Sequence, residues 1–188
     1  MHAFLLAAFA ALLLGGCTYE YPLADAEAAI ADDELVGIWH LPEAGDLENA
    51  DVMFLPMHSG RYLLTFAASK PEAPGSDPGS KLCEQAMVGW GLAQGHMVAH
   101  VTELGGARFL NLEFVCGDEG YALARYWIRG DTARFVTVDN LKGPFGSSEE
   151  VAAAVRSRLD DPELYGDTIL AYRVPKRTNP VTVPGTRP

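Results

Sequence analysis

From about residue 34 onward, short apolar, β-branched and aromatic runs are broken by clusters of Gly, Asp, Ser and Pro. This is the period-two texture of half-buried strands. Eight runs predict strands at 35–41, 51–57, 61–68, 84–92, 96–102, 107–115, 121–129 and 133–139. In 107–115 the alternation is plainest: Leu110, Leu112 and Phe114 share one face, with Asn111 and Glu113 on the other. The breaks His58-Ser59-Gly60, Gln94-Gly95, Gly105-Gly106 and Gly130-Asp131 have hairpin chemistry, whereas 69–81 (SKPEAPGSDPGSK) predicts an exposed loop or lid. The period then changes. Ser147 and Glu150 have capping-box spacing, Val151, Val155 and Leu159 form a helical stripe, and Asp161-Pro162 stops it. A last strand follows at 167–174. The expected fold is mainly β, a barrel or a sandwich, with one C-terminal helix.

The N-terminus follows another rule. Ala3 to Leu14 is an apolar run with no charge and no proline. It is shorter than the ~20 residues a spanning helix needs, and its position is that of a signal-peptide core. It ends in Leu14-Gly15-Gly16-Cys17, which resembles the bacterial lipobox. The resemblance implies that residues 1–16 are removed, that Cys17 carries a diacylglycerol thioether, and that its new amine is acylated. Several chains at ~0.8 kcal/mol per buried CH₂ hold a protein almost irreversibly to a bilayer. One departure is an n-region without Lys or Arg, carrying only His2 and the free amine. Thr18 stands where the inner-membrane retention signal has Asp, so the resemblance favours the outer membrane, with the protein facing the periplasm. The chain divides into signal peptide (1–16), lipidated tether (17–34), barrel (35–175) and a disordered basic, proline-rich tail (176–188).

Charge narrows the partners. Residues 1–16 hold no Lys, Arg, Asp or Glu, so the 188 − 16 = 172 remaining residues keep the formal charge of −11. Such a chain repels nucleic acid and anionic lipid alike, which leaves the lipid on Cys17 to do the anchoring. With Cys17 modified, Cys83 and Cys116 remain. An exported pair favours a disulfide; two separate thiols or a redox pair are the alternatives, and the chain has no C-x-x-C.

Candidate chemistry is sparse. His96, His100 and Glu103 have the spacing of a zinc site on a helix, but on a strand the two histidines point one way and Glu103 the other. Two histidines without a third ligand predict surface or lumen side chains and no metal. The run Gly89 to Gly95 misses a dinucleotide loop by one residue and has no βαβ unit around it. His58 and Ser59 are adjacent, a poor geometry for a nucleophile and its base. Asp46, Glu48 and Asp51, with His40 and His58 near them, predict a solvated acidic loop. No catalytic residue and no cofactor is predicted.

The order of strands, helix and short last strand, together with Gly37-Ile38-Trp39 on the first strand, resembles the lipocalin superfamily of β-barrels. The resemblance covers roughly 35–175. It implies a mainly β fold, an antiparallel up-and-down barrel with one C-terminal helix packed outside after strand eight. It also implies that Gly37 and Trp39 take the family's G-x-W roles, that the Trp plugs the closed barrel end, and that Arg173 stacks on Trp39. The family's T-D-Y motif is absent; Gly117-Asp118-Glu119-Gly120 stands at that turn. The function this implies is binding of a small apolar or amphipathic molecule. The alternative is a filled barrel that docks an envelope protein.

Overall fold

The computed structural model describes residues 19–44, 47–68, 96–114 and 120–175. Eight strands form a closed barrel: β1 (Gly37–Ala44), β2 (Leu47–Pro56), β3 (Arg61–Ala68), β4 (His96–Leu104), β5 (Ala107–Phe114), β6 (Tyr121–Arg129), β7 (Thr132–Val138) and β8 (Tyr165–Arg173). Each pairs antiparallel with the next, and β8 returns to β1 through Trp39↔Arg173 and His40↔Tyr172. Closure removes the sheet edges that would otherwise invite association. The predicted strand at 84–92 lies outside the described residues, and β3 pairs directly with β4, Leu63 opposite Val98. The ring is therefore seven strands, a helix, then the eighth strand. The helix precedes the closing strand instead of following it as in the lipocalin order.

The helix, α1 (Ser148–Ser157), begins where its capping signal predicts. Ser147 accepts from the Glu150 N–H (3.4 Å), and the Glu150 carboxylate reaches back to the Gly146 N–H (2.8 Å). At its far end Arg158 pairs with Asp161 (2.8 Å) before Pro162. Val151 and Val155 are fully buried against the outer wall, with Leu104, Phe109, Leu123 and Val138 from β4 to β7.

Inside the ring the period of two fills the core. Trp39, Leu41, Val52, Phe54, Tyr62, Leu64, Met97, Val101, Leu110, Leu112, Tyr126, Phe135 and Ile169 form one continuous cluster. Phe135 stacks on both Phe54 (6.2 Å) and Tyr126 (6.0 Å). Alternate positions along each strand supply these side chains, as a closed sheet requires.

Two sequence expectations are corrected. Glu48 and Asp51 do not sit in an acidic loop. They belong to β2, because the β1–β2 ladder extends to Glu43↔Glu48 and Ala44↔Leu47. Residues from Tyr19 onward are not a free tether either. Residues 19–36 form a strap that crosses the outer wall and then turns over one barrel end. Tyr19 bridges Tyr121, and Ile30 bridges Val101. Tyr19 and Leu23 are buried, the latter beside Asn111. The alanine-acid texture read as spacer conceals an apolar anchor every few residues (Tyr19, Leu23, Leu35), each too isolated to register as a period.

Candidate functional site

The hairpin connections divide the barrel into two ends. The turns at His58–Gly60, Gly105-Gly106 and Gly130-Asp131, with the strap entering β1, lie at one end. The end of β1, the start of β2, the end of β3, the start of β4, the end of β7 and the start of β8 lie at the other.

The first end is sealed. Trp39 is fully buried, and its indole N–H donates to the Leu35 carbonyl (2.8 Å). The Arg173 guanidinium stands 4.2 Å from the centre of that ring and donates to the Val36 carbonyl (2.9 Å). The stacking is a cation–π contact that also ties β8 to the strap. Gly37 is a glycine for two reasons: its φ is +133°, and a Cβ there would lie 3.3 Å from the Arg173 guanidinium. Over this layer sits Asp32. Its side chain is 6% exposed, and it accepts from the Tyr126 hydroxyl (2.6 Å) and from Arg108 (2.9 Å). Its own backbone N–H donates to the Tyr62 hydroxyl (2.6 Å). Arg108 also reaches Glu34 (3.1 Å). A buried carboxylate with this many donors is a satisfied one. Burial pushes the Tyr126 phenol far above its ordinary range, and the bond to Asp32 adds to the push. Burial raises Tyr62 too. Both phenols therefore stay neutral donors and acceptors in the latch.

At the second end, the mouth, small inward groups stand beside larger ones such as Met97 and Leu112. The register sets Ala50 opposite Leu41, Ala122 opposite Leu112, and Ala124 opposite Thr137. All three alanines are buried. Thr137 alternates with Phe135 and Ala133 on the inward face of β7. It is 3% exposed, and its hydroxyl has no hydrogen-bond partner. Asp139 follows, with one carboxylate oxygen buried and also unpartnered. Burial pushes the Asp139 carboxyl above the usual range. The Thr137 hydroxyl, beside it but outside hydrogen-bonding geometry, offsets part of the rise, and Asp167 adds to it. The register slips by one between Val136 and Val138, a bulge that re-aims these side chains. Gly166 on β8 makes room for them, since a Cβ there would fall 1.5 Å from an Asp139 oxygen and 2.6 Å from the Thr137 hydroxyl.

The histidines fall elsewhere. His100 faces out of the barrel under the strap, and its Nε2 donates to the Ala24 carbonyl (2.7 Å). Burial lowers its pKa. Next to it the Leu23 N–H donates to the Asn111 side-chain oxygen (2.6 Å), whose amide in turn donates to the Thr102 hydroxyl (2.9 Å). These bonds clasp the strap. His96 begins β4, and His58 sits at a turn of the sealed end. Among the described residues no group of three or more His, Cys, Asp or Glu is placed to hold a metal. His40 Nδ1 lies 2.9 Å from Asp51 on the outer wall, with side chains 38% and 48% exposed, a surface pair. A solvent-open groove of about 270 Å³ lies between the strap and α1, lined by Leu23, Asp25, Ser148 and Arg156 among others. Cys17, Cys83, Cys116, the 69–81 segment, the Gly89–Gly95 run and the 176–188 tail lie outside the described residues.

Sequence reasoning missed the latch. Asp32 falls in the stretch whose composition reads as tether, and its partners Arg108 and Tyr126 are 76 and 94 residues away. It missed Thr137 as well, an ordinary strand threonine until its neighbours are known. No protein-family model, curated protein or solved structure matches this chain.

Proposed function

We propose that this protein is a lipid-anchored binding module of a bacterial envelope, held by Cys17, whose barrel takes a small amphipathic molecule at its mouth. The observation that carries the reading is the unpartnered hydroxyl of Thr137, 3% exposed, next to the unpartnered carboxylate oxygen of Asp139. A buried polar group without a partner costs about 1–3 kcal/mol, and chains retain few of them. Here two sit together in the half of the barrel lined by Ala50, Ala122 and Ala124, where a ligand's donors would complete them. The resemblance to lipocalins supports the same reading, as does the sealing of the opposite end. The lipobox resemblance supports the anchor and the outer-membrane location.

The test is native mass spectrometry of residues 18–188 purified from the periplasm. An added mass that disappears on denaturation, and that Thr137→Val reduces, is the expected result. A clean apo mass after exposure to envelope lipid extracts and small-molecule pools counts against the reading. In a parallel fractionation, Cys17→Ser is expected to move the protein from the membrane to the soluble envelope fraction.

A second reading has its own observation. Along β2, β1 and β8 the outer wall exposes Leu55, Ile38, Leu170 and Tyr172. These residues would let a filled barrel dock an envelope protein, and the apo mass is the result that favours it.

A further inference from the structure

The strap has a direction, and the direction orients the whole domain. It starts at the mouth, where Tyr19 and Tyr121 exchange both backbone hydrogen bonds (2.8 and 2.7 Å) and the Tyr19 hydroxyl donates to the Val138 carbonyl (2.9 Å). Tyr121 is the first residue of β6 and Val138 the last of β7, so both mark the mouth rim. The strap then runs down the wall. Leu23 is held by Asn111 of β5, Ala24 by His100 of β4, and Ile30 by Val101. It reaches the sealed end at Asp32, where Tyr126, Arg108 and Tyr62 grip it. The chain segment leading to Tyr19 therefore arrives at the rim of the mouth.

We infer that the mouth rim is the surface that lies against the anchoring bilayer, with the sealed end pointing away from it. The inference rests on lipidation of Cys17. Only Thr18 separates that residue from Tyr19, so the two steps span at most ~7 Å. The sealed end is a strand length away. Nine residues at ~3.3 Å each, tilted by ~40°, place it roughly 20 Å farther along the barrel axis. A tether this short cannot let a barrel of that length turn over while the strap stays clasped. A free spacer running from the cysteine to β1 would have attached the domain by its sealed end and left the mouth facing open water; the clasped strap reverses that arrangement.

The fitting partner is a bilayer surface of low charge. Glu20 and Glu113 are exposed at the rim end, and Asp167 is exposed near the start of β8. These acids do not attract anionic lipid, so the contact is enforced by the covalent tether. Ligand exchange at Thr137 and Asp139 then takes place at the headgroup level.

The experiment uses the lipidated full-length mature protein in zwitterionic phosphatidylcholine vesicles that carry a headgroup-level spin quencher. With Cys83 and Cys116 replaced by Ser, a fluorophore is placed by Glu113→Cys or Asp167→Cys at the mouth, or by Asp131→Cys at the sealed end. Mouth labels are expected to be quenched roughly twofold or more over the sealed-end label, given the ~20 Å separation. A Gly-Ser spacer of ~12 residues inserted between Thr18 and Tyr19, with an end-to-end reach close to the barrel's length, is expected to erase the difference. Equal quenching at both ends in vesicle-bound protein, or stronger quenching at Asp131, overturns the orientation and leaves the anchor standing. Failure of the unsubstituted protein to float with vesicles overturns the anchor, and the orientation falls with it. If the cysteine replacements unfold the domain, hydroxyl-radical footprinting of the unaltered lipoprotein decides. Tyr121 is expected to lose reactivity on vesicle binding while exposed Met57 at the sealed end keeps it; equal protection counts against the orientation.

Discussion

At the sealed end of the barrel, Asp32 gathers donors from Tyr126 and Arg108, Trp39 and Arg173 both find backbone carbonyls, and the space between is filled by aromatic rings. At the mouth, Thr137 and Asp139 carry buried oxygens with no partner. The same eight strands build both. What differs is the end at which the buried polar groups are satisfied. A satisfied layer stabilises the fold, and an unsatisfied one leaves polar atoms whose hydrogen bonds the protein itself does not complete.

The largest test of this contrast is at Trp39. Its replacement by Ala removes the largest fully buried side chain among the described residues and the ring under Arg173. The expected loss is about 3–5 kcal/mol in urea unfolding. The same measurement on Ile169→Val, nearer the mouth, should give about 0.5–1.5 kcal/mol. A loss at Trp39 below that of Ile169 would break the distinction between the ends.

The two carboxylates should respond with opposite signs. Asp32→Ala leaves Tyr126 with an orphaned hydroxyl under the strap, and costs about 1–3 kcal/mol. Asp139→Asn should be neutral or stabilising at pH 7. Burial holds the folded Asp139 carboxyl above its unfolded value of 3.8. Between those two values the unfolded chain has given up its proton and the folded one has not. Stability from this group is therefore present below 3.8 and is lost as pH rises through the folded value. The check is a urea midpoint series from pH 3 to 7: Asp139→Asn should flatten the decline that the parent shows over the acid range. A destabilising Asp139→Asn would mean that the mouth is as well satisfied as the sealed end.

Much of the barrel was legible because a closed sheet imposes one rule everywhere. All eight observed strands overlap predicted runs, and the helix carries its own start and stop signals at Ser147 and Asp161-Pro162. The strap was not legible. Its contacts are long-range and aperiodic, and Tyr19, Leu23 and Asp32 look locally like an acidic spacer. The site was legible only in outline. Gly37 and Trp39 stood out through the G-x-W of the lipocalin resemblance, whereas Asp32, Arg108 and Tyr126 become a unit only after the sheet brings β5 and β6 under the strap. Thr137 needs even more, since its significance is the absence of a partner.

The smallest effect joins the two ends through the strap. His100 Nε2 holds the Ala24 carbonyl midway along it, and burial keeps the folded imidazole pKa below 6.5. The bond to the Ala24 carbonyl opposes this most, Arg61 works in the same direction as burial, and Glu113 and Asp25 also oppose it. As pH falls past 6.5 the unfolded chain binds the proton first, so the stability from neutral His100 is present above 6.5 and is lost toward the folded value. The strap should loosen before the barrel does, because two isolated bridges and a few side-chain bonds hold it where a continuous ladder holds each strand. Amide exchange at Leu23 and Ile30, measured at pH 7 and again at pH 5.5, is expected to accelerate while exchange within β5 holds steady. His100→Gln, which keeps a donor for Ala24 and removes the titration, should make the strap exchange nearly independent of pH once the intrinsic rate is divided out. If the strap and β5 accelerate together, the strap is part of the barrel's cooperative unit, and the mouth and the sealed end are coupled more tightly than their separate chemistry suggests.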